Sequence, residues 1–257
     1  VDLLDARAII EGPISRSTRF ALAARRSWID AWLGAAGGKS VAVAPVYYDY
    51  QAILEHDVSK NVIARVTAFG SDDRMKLLFA APEASDPANG GDIGLHESFF
   101  RVQGRVDARL SDDVHWVNEI AWGVNQQTFN QNDYAADVAF QMTQVRSDFR
   151  YRLSDALAFV AGADVLFGTY DITLKVPPET EAGEAAGPVF ARPAPGLSGT
   201  GSIERPAAYA LAEVRPIPRL LFTPGLRVDY MSDTARWTAD PRVSARFDLR
   251  TGPAPPR

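Results

Sequence analysis

Apolar and polar positions alternate with a period of two along most of this chain. Between residues 99 and 110, Phe100, Val102, Gly104, Val106, Ala108 and Leu110 alternate with Arg101, Gln103, Arg105, Asp107 and Arg109. An extended backbone puts the first set on one face and the charges on the other. Residues 242–250 repeat the pattern, with Val243, Ala245, Phe247 and Leu249 against Arg242, Ser244, Arg246, Asp248 and Arg250. So do residues 144–153, where Val145, Phe149, Tyr151 and Leu153 oppose Gln144, Arg146, Asp148, Arg150 and Arg152. Between residues 42 and 54, Tyr48, Tyr50, Ala52 and Leu54 share a face while Tyr47, Asp49 and Gln51 take the other. Helical spacing fits none of these segments.

Collecting such runs predicts about eleven strands, many about twice as long as the mean strand of a soluble domain. They fall at residues 3–11, 18–29, 41–55, 61–79, 95–110, 114–129, 137–153, 157–174, 207–215, 220–231 and 236–250. The connections at 12–17, 56–60, 111–113, 154–156 and 216–219 are short, and those at 30–40, 80–94, 130–136 and 175–206 are longer; the last, at 232–235, breaks the alternation. In an up-and-down sheet every second connection lies at the same end. One end is therefore trimmed and the other elaborated, the asymmetry of outer-membrane barrels. Residues 176–205, rich in Gly, Pro, Ala and Glu and without an apolar period, are expected to form a long mobile extracellular loop.

Composition narrows the function. A net charge of -5 with both signs interspersed lacks the basic footprint of a nucleic-acid binder. The absence of cysteine removes thiolate metal sites and cysteine nucleophiles. No apolar run is long enough for a transmembrane helix, which leaves a barrel open because its strands alternate. The chain opens at Val1 directly in a strand-like pattern and reads as a piece of a longer protein. Two architectures remain: a soluble all-β binding module, and an antiparallel up-and-down transmembrane β-barrel, here a partial barrel or curved open sheet over residues 1–257. Three features favour the barrel. The strands are long enough to cross a bilayer, apolar-face aromatics such as Phe149, Tyr151 and Phe222 gather near short turns, and the charged face mixes Arg with Asp as a lumen would.

Two phrases carry a family resemblance. Thr223-Pro-Gly-Leu-Arg-Val-Asp-Tyr230, followed by Asp240-Pro-Arg-Val-Ser-Ala-Arg-Phe247, resembles paired strands of the barrel domain of TonB-dependent outer-membrane receptors. Ala24-Arg-Arg-Ser-Trp-Ile-Asp30 and Ala44-Pro-Val-Tyr-Tyr-Asp-Tyr50 look like early strands of the same barrels. The resemblance implies active uptake of a scarce small-molecule substrate such as a metal chelate or cobalamin. The barrel would have about twenty-two strands, be filled by a plug domain, and be driven through a periplasmic TonB protein. This sequence shows no plug and about half of those strands. The remaining strands, the plug and outer-membrane lipid are thus its expected partners, and a porin-like or adhesive barrel without energy coupling is the alternative. An enzyme is not expected, nor any cofactor.

Candidate chemistry is sparse. His56, His96 and His115 stand singly, His56 in a short turn, without metal-site spacing. The acidic pairs Asp72–Asp73 and Asp112–Asp113 and the group Glu179, Glu181 and Glu184 are expected in turns or a loop, solvated rather than catalytic. Residues 196–201, rich in Gly, meet neither a phosphate-loop nor a nucleophile-elbow spacing and are expected to be loop. The inward arginines are the constellation with a functional reading. Arg101, Arg105 and Arg109 with Arg146, Arg150 and Arg152, joined by inward Tyr47 and Asp49, could contact an anionic substrate or the plug. The Asp residues on the same face favour structural pairing.

Overall fold

The computed structural model describes residues 4–30, 41–43, 45–79, 92–131, 134–176 and 195–249. They form one antiparallel sheet: β1 (Asp5–Pro13), β2 (Thr18–Ser27), β3 (Val41–Val43), β4 (Val46–Ser59), β5 (Val62–Phe79), β6 (Asp92–Arg109), β7 (Val114–Gln131), β8 (Tyr134–Ser154), β9 (Leu157–Lys175), β10 (Gly196–Ile217), β11 (Leu220–Met231) and β12 (Arg236–Phe247). Strands lie side by side in chain order. β3 and β4 both pair with β5 in one unbroken register, Val43 with Leu77 and Val46 with Arg74, so they act as one interrupted strand. The sheet is therefore eleven strands wide, all-β, up-and-down, and open: among the described residues no pairing joins β1 to β12.

The expected strands are all present, with three corrections. Residues 196–206, expected as loop, are the first half of β10 and pair without interruption to β9, Gly196 with Lys175 and Pro206 with Val165. Small residues there leave room for the neighbouring strand: the Tyr170 ring lies where a Cβ on its partner Gly201 would sit. Most of the expected loop, residues 177–194, and with it Glu179, Glu181 and Glu184, lies outside the described residues. Second, β7 and β8 are separated by only two positions, 132 and 133, not by a longer loop. Third, Asp72 and Asp73 lie within β5 on opposite faces, and His56 within β4, because both strands outrun the turn-like composition of their ends.

All five connections at one end span two to four residues, and the sheet's three register shifts, at 57–59, 152–154 and 214–217, also sit there. Bulges at a rim bend strands and increase twist locally. At the other end, residues 28–40, 80–91 and 176–195 make the long connections.

Directly paired residues share a face, so the register sorts every side chain. The outer face near the short turns is apolar and exposed, with Leu22, Val66, Ile120, Val145, Phe159, Leu226 and Val243 at 42–68%. The only buried hydrophobics among the described residues are Ala108, Tyr134, Ala158 and Ala207. This sheet has no conventional core. Its apolar surface points outward, where an aqueous protein would pay for it.

Aromatic side chains frame that surface. Trp116, Phe149, Phe159, Phe222 and Phe247 lie toward the short turns, and Tyr48, Tyr50, Trp122, Phe167, Tyr230 and Trp237 toward the long connections. On β9, Phe159 and Phe167 are separated by about 27 Å of strand, and on β12 Phe247 and Trp237 by about 34 Å. At a tilt of about 40° these become about 20–26 Å of height, matching the apolar band of a transmembrane barrel, about 25 Å.

Tyrosines are seated over glycines in the directly paired sites Tyr50–Gly70, Tyr209–Gly162 and Tyr170–Gly201. Gly162→Val is expected to displace the Tyr209 ring and its hydroxyl bond to Asp148, lowering unfolding stability of the parent protein in micelles by about 1–3 kcal/mol. Gly12→Val, at a site with open space, serves as the control. Equal urea midpoints for the two variants would show that the tyrosine seat contributes nothing.

Candidate functional site

The face opposite the apolar one carries the arginines. A single row of paired positions runs across it from Arg19 through Glu55, Arg65, Arg105, Glu119 and Arg146 to Asp164. Signs nearly alternate along it, so each carboxylate has a cation on a neighbouring strand. Glu55 binds Arg19 at 2.6 Å and also Arg65, Arg105 contacts Glu119, and Arg227 reaches Asp164 at 3.6 Å.

All eight residues singled out in the sequence lie on this face, spread along its height. Arg105, Arg146, Arg150 and Arg152 are engaged in ion pairs: Arg146 with Asp148 at 2.9 Å, Arg150 with Glu213 at 2.7 Å, Arg152 with Asp113 at 2.9 Å. Asp49 meets Arg25 at 3.4 Å, and the Tyr47 backbone N–H donates to Ser27 Oγ at 2.9 Å. Arg101 donates to the carbonyls of Phe100 and Val124 at 3.1 and 2.9 Å instead of to a carboxylate, its chain lying over Gly123. Arg109, near the short turns, is exposed and among the described residues has no side-chain partner. Structural pairing thus accounts for most of the arginines, with Arg101 and Arg109 as exceptions. No group of three or more metal-ligating side chains is present among the described residues. His56 bonds Thr18 at 2.8 Å, His96 bonds Asp72 at 3.2 Å and His115 bonds Asp107 at 2.6 Å, on separate parts of the sheet.

The feature missed in the sequence is an inversion of polarity within single strands. On β9 the outward residues run Phe159, Ala161, Ala163, Val165, Phe167 and then Thr169, Asp171, Thr173, Lys175; the inward ones turn from Val160, Gly162 and Asp164 to Tyr170, Ile172 and Leu174. β8 does the same, with Val138 and Phe140 inward above Arg146 and Arg150. No residue is inserted at the change, so the backbone does not slip; the apolar set crosses to the other face. Beyond the outward band, then, β8 and β9 have a water-compatible outer face and an apolar, partly aromatic inner one, with the inward Phe69 and Phe99 of β5 and β6 beside polar inward residues such as Asp49, Ser71, Asn125 and Gln127. Phe69 and Phe99 meet edge to face at 6.0 Å, and Phe140 and Tyr170 lie 6.4 Å apart. Two recesses open here. One of about 600 Å³ is lined by Arg25, Asp49, Phe69 and Phe99, and one of about 750 Å³ by Asn125, Phe140, Tyr170 and Gly201. The sequence signal was the change of phase near residues 142–144 and 167–169.

A long-stranded open meander with one apolar face and one charged face has the architecture of a segment of β-barrel wall. The comparisons agree at the level of fold. The chain is similar to the ferripyoverdine receptor FpvA of Pseudomonas aeruginosa (TM-score 0.68, 13% identity, 96% of this chain and 38% of that one). It is also similar to the outer-membrane transporter YddB of Escherichia coli (0.68, 8%, 95% and 36%) and to the ferric-catecholate import receptor Fiu of E. coli (0.60, 12%, 96% and 48%). The chain thus spans between about a third and half of the length of these proteins. No family model matches the sequence, and no curated protein matches it. The resemblance to TonB-dependent receptors is borne out in the fold. Its two sharpest phrases fall on β11 and β12, which pair as expected, Gly225 with Arg242 and Tyr230 with Trp237.

Proposed function

We propose that this chain forms part of the barrel wall of an outer-membrane uptake receptor, which binds a scarce small molecule in the aromatic inner rim and passes it inward without catalysing a reaction. The observation that supports it is the polarity inversion: beyond the lipid-facing band an apolar inner wall has no reason to exist unless a ligand, or the receptor's own polypeptide, covers it. A porin-like reading fits less well, because a water-filled channel calls for a polar inside along its whole height. Residues 176–205 would then lie outside the cell. In this reading the charged inner face below the rim contacts the plug, with Arg109 and Arg101 available to its carboxylates, and energy arrives through TonB.

The test is uptake by cells carrying the parent protein as their only receptor of this kind, supplied with a panel of radiolabelled ferric chelates. Phe140→Asp combined with Tyr170→Asp is expected to lower uptake of the accepted chelate by about tenfold or more, while the amount in the outer-membrane fraction stays constant. Wild-type uptake by that variant, or recovery of the parent protein in the soluble fraction, would overturn the proposal.

A further inference from the structure

Where arginines stand directly opposite each other on the inner face, a carboxylate adjoins them in the same row. Arg65 and Arg105 lie between Glu55 and Glu119, and the pair Arg7 and Arg25 is followed by Asp49. One row close to the short turns departs from this. It runs Arg109, His115, Arg150 on β6, β7 and β8, and is continued by Val160 on β9. On its other side the Arg109 backbone N–H donates to the carbonyl of Asn61 at 2.8 Å. No carboxylate stands in the row. His115 is met from the next row by Asp107 at 2.6 Å, and Arg150 by Glu213 at 2.7 Å. Arg109 has no side-chain partner among the described residues.

These three side chains and Arg152 line one recess of about 650 Å³, shared with the turn residues Asp112 and Asp113. Arg152 and Asp113 pair with each other at 2.9 Å, whereas the Asp112 carboxylate meets no cation among the described residues. Like charges opposite each other weaken a strand pair, and a guanidinium cannot shed its charge. An anion relieves the row. Arg109 and Arg150 are two strand spacings apart, about 10 Å, with the imidazole between them. Two planar forks so placed match an anion that carries oxygens at both ends better than a single carboxylate, and the recess has the volume of a small-molecule site. It opens on the face opposite the apolar one, so the anion comes from solution and not from a lipid headgroup.

We propose that this recess binds a small multivalent oxyanion, a solute bearing phosphate groups or several carboxylates, at the short-turn end of the inner face. In the uptake reading it is a second site on the exit side, apart from the aromatic rim; the row and the recess that define it do not depend on that reading.

The test is calorimetric titration of the parent protein, purified in detergent, with pyrophosphate in metal-free buffer of low ionic strength. Saturable binding is expected. Arg109→Gln, at an exposed position where folding is not at stake, should weaken it by about tenfold or more. Asp112→Asn should move it the other way, tightening it by about two- to fivefold, because a negative charge leaves the recess. Arg16→Gln, at an exposed arginine of another short turn, should leave it unchanged. Absence of saturable binding, an affinity untouched by Arg109→Gln, or an equal loss in Arg16→Gln overturns the proposal. If a carboxylate of the parent chain already fills the recess, the wild type leaves pyrophosphate unbound, and that outcome overturns it too. Failure here leaves the outer-membrane reading standing, because fractionation decides that separately.

Discussion

Residues 1–257 produced alone and refolded into detergent micelles are expected not to give a closed monomer: mobility on gels will be the same before and after boiling. The reason is at the two edges. Among the described strands β1 and β12 each have one neighbour, so each presents an edge that no other described strand pairs. In hydrocarbon each unpaired N–H or C=O group on such an edge costs several kcal/mol, and even a few exceed the whole stability of a typical domain, about 5–15 kcal/mol. A second copy is a poor remedy. β1 enters the short turn at residues 14–17 and β12 follows the connection at 232–235, so both run toward the short-turn end. Joining β12 of one copy to β1 of another with both upright would require a parallel seam in an otherwise antiparallel barrel. Inverting one copy would put its polar extensions on the wrong side of the membrane. In the proposed receptor each edge would therefore be met by a strand running the other way, so an antiparallel closure would take an odd number of further strands. A heat-resistant closed monomer made from these residues alone would refute this and favour a small self-contained barrel.

The same alternation that made the strands legible hid the site. Strand existence and pairing order follow from period two and short turns, and they were read to within a few residues from Arg101-type and Val102-type positions alone. The first half of β10 was lost because Gly196, Gly199 and Gly201 have a loop composition. Their place in the sheet depends on Tyr170 of β9, which lies across the ladder and not along the sequence. That the eight candidate residues share one face was legible, since a face is a matter of parity. Which of them are already satisfied was not legible: Arg150 finds Glu213 sixty-three residues away, whereas Arg109 finds no side-chain partner among the described residues. The aromatic inner rim was visible only as a phase change within β8 and β9. Read as a single amphipathic period, each strand averages the two halves and the rim disappears.

The second large effect separates the faces with one residue type at adjacent positions. Val145 is 42% exposed and lies on the outer face between its partners Ile120 and Val165, within the apolar band and nearer the Trp122 and Phe167 frame than the Phe159 one. Arginine placed there must bury its guanidinium in hydrocarbon or bend back to the interface, and Val145→Arg is expected to cost roughly 1–3 kcal/mol, less than at the midplane. Gln144, the preceding residue, points inward and donates to Asp164 Oδ1 at 2.7 Å. Gln144→Arg keeps a donor within reach of that carboxylate in a face already built from mixed charges, so its cost should be near zero. The measurement is reversible urea unfolding of the parent protein in lipid vesicles, with both variants in the same lipid. The two variants add the same side chain and the same charge, and the loss of valine's strand preference is worth at most about 1 kcal/mol, so the medium that each face meets is the main difference. If Val145→Arg proves no more costly than Gln144→Arg, the outer face is not in contact with lipid, and its exposed leucines, valines and aromatics must instead be covered by protein.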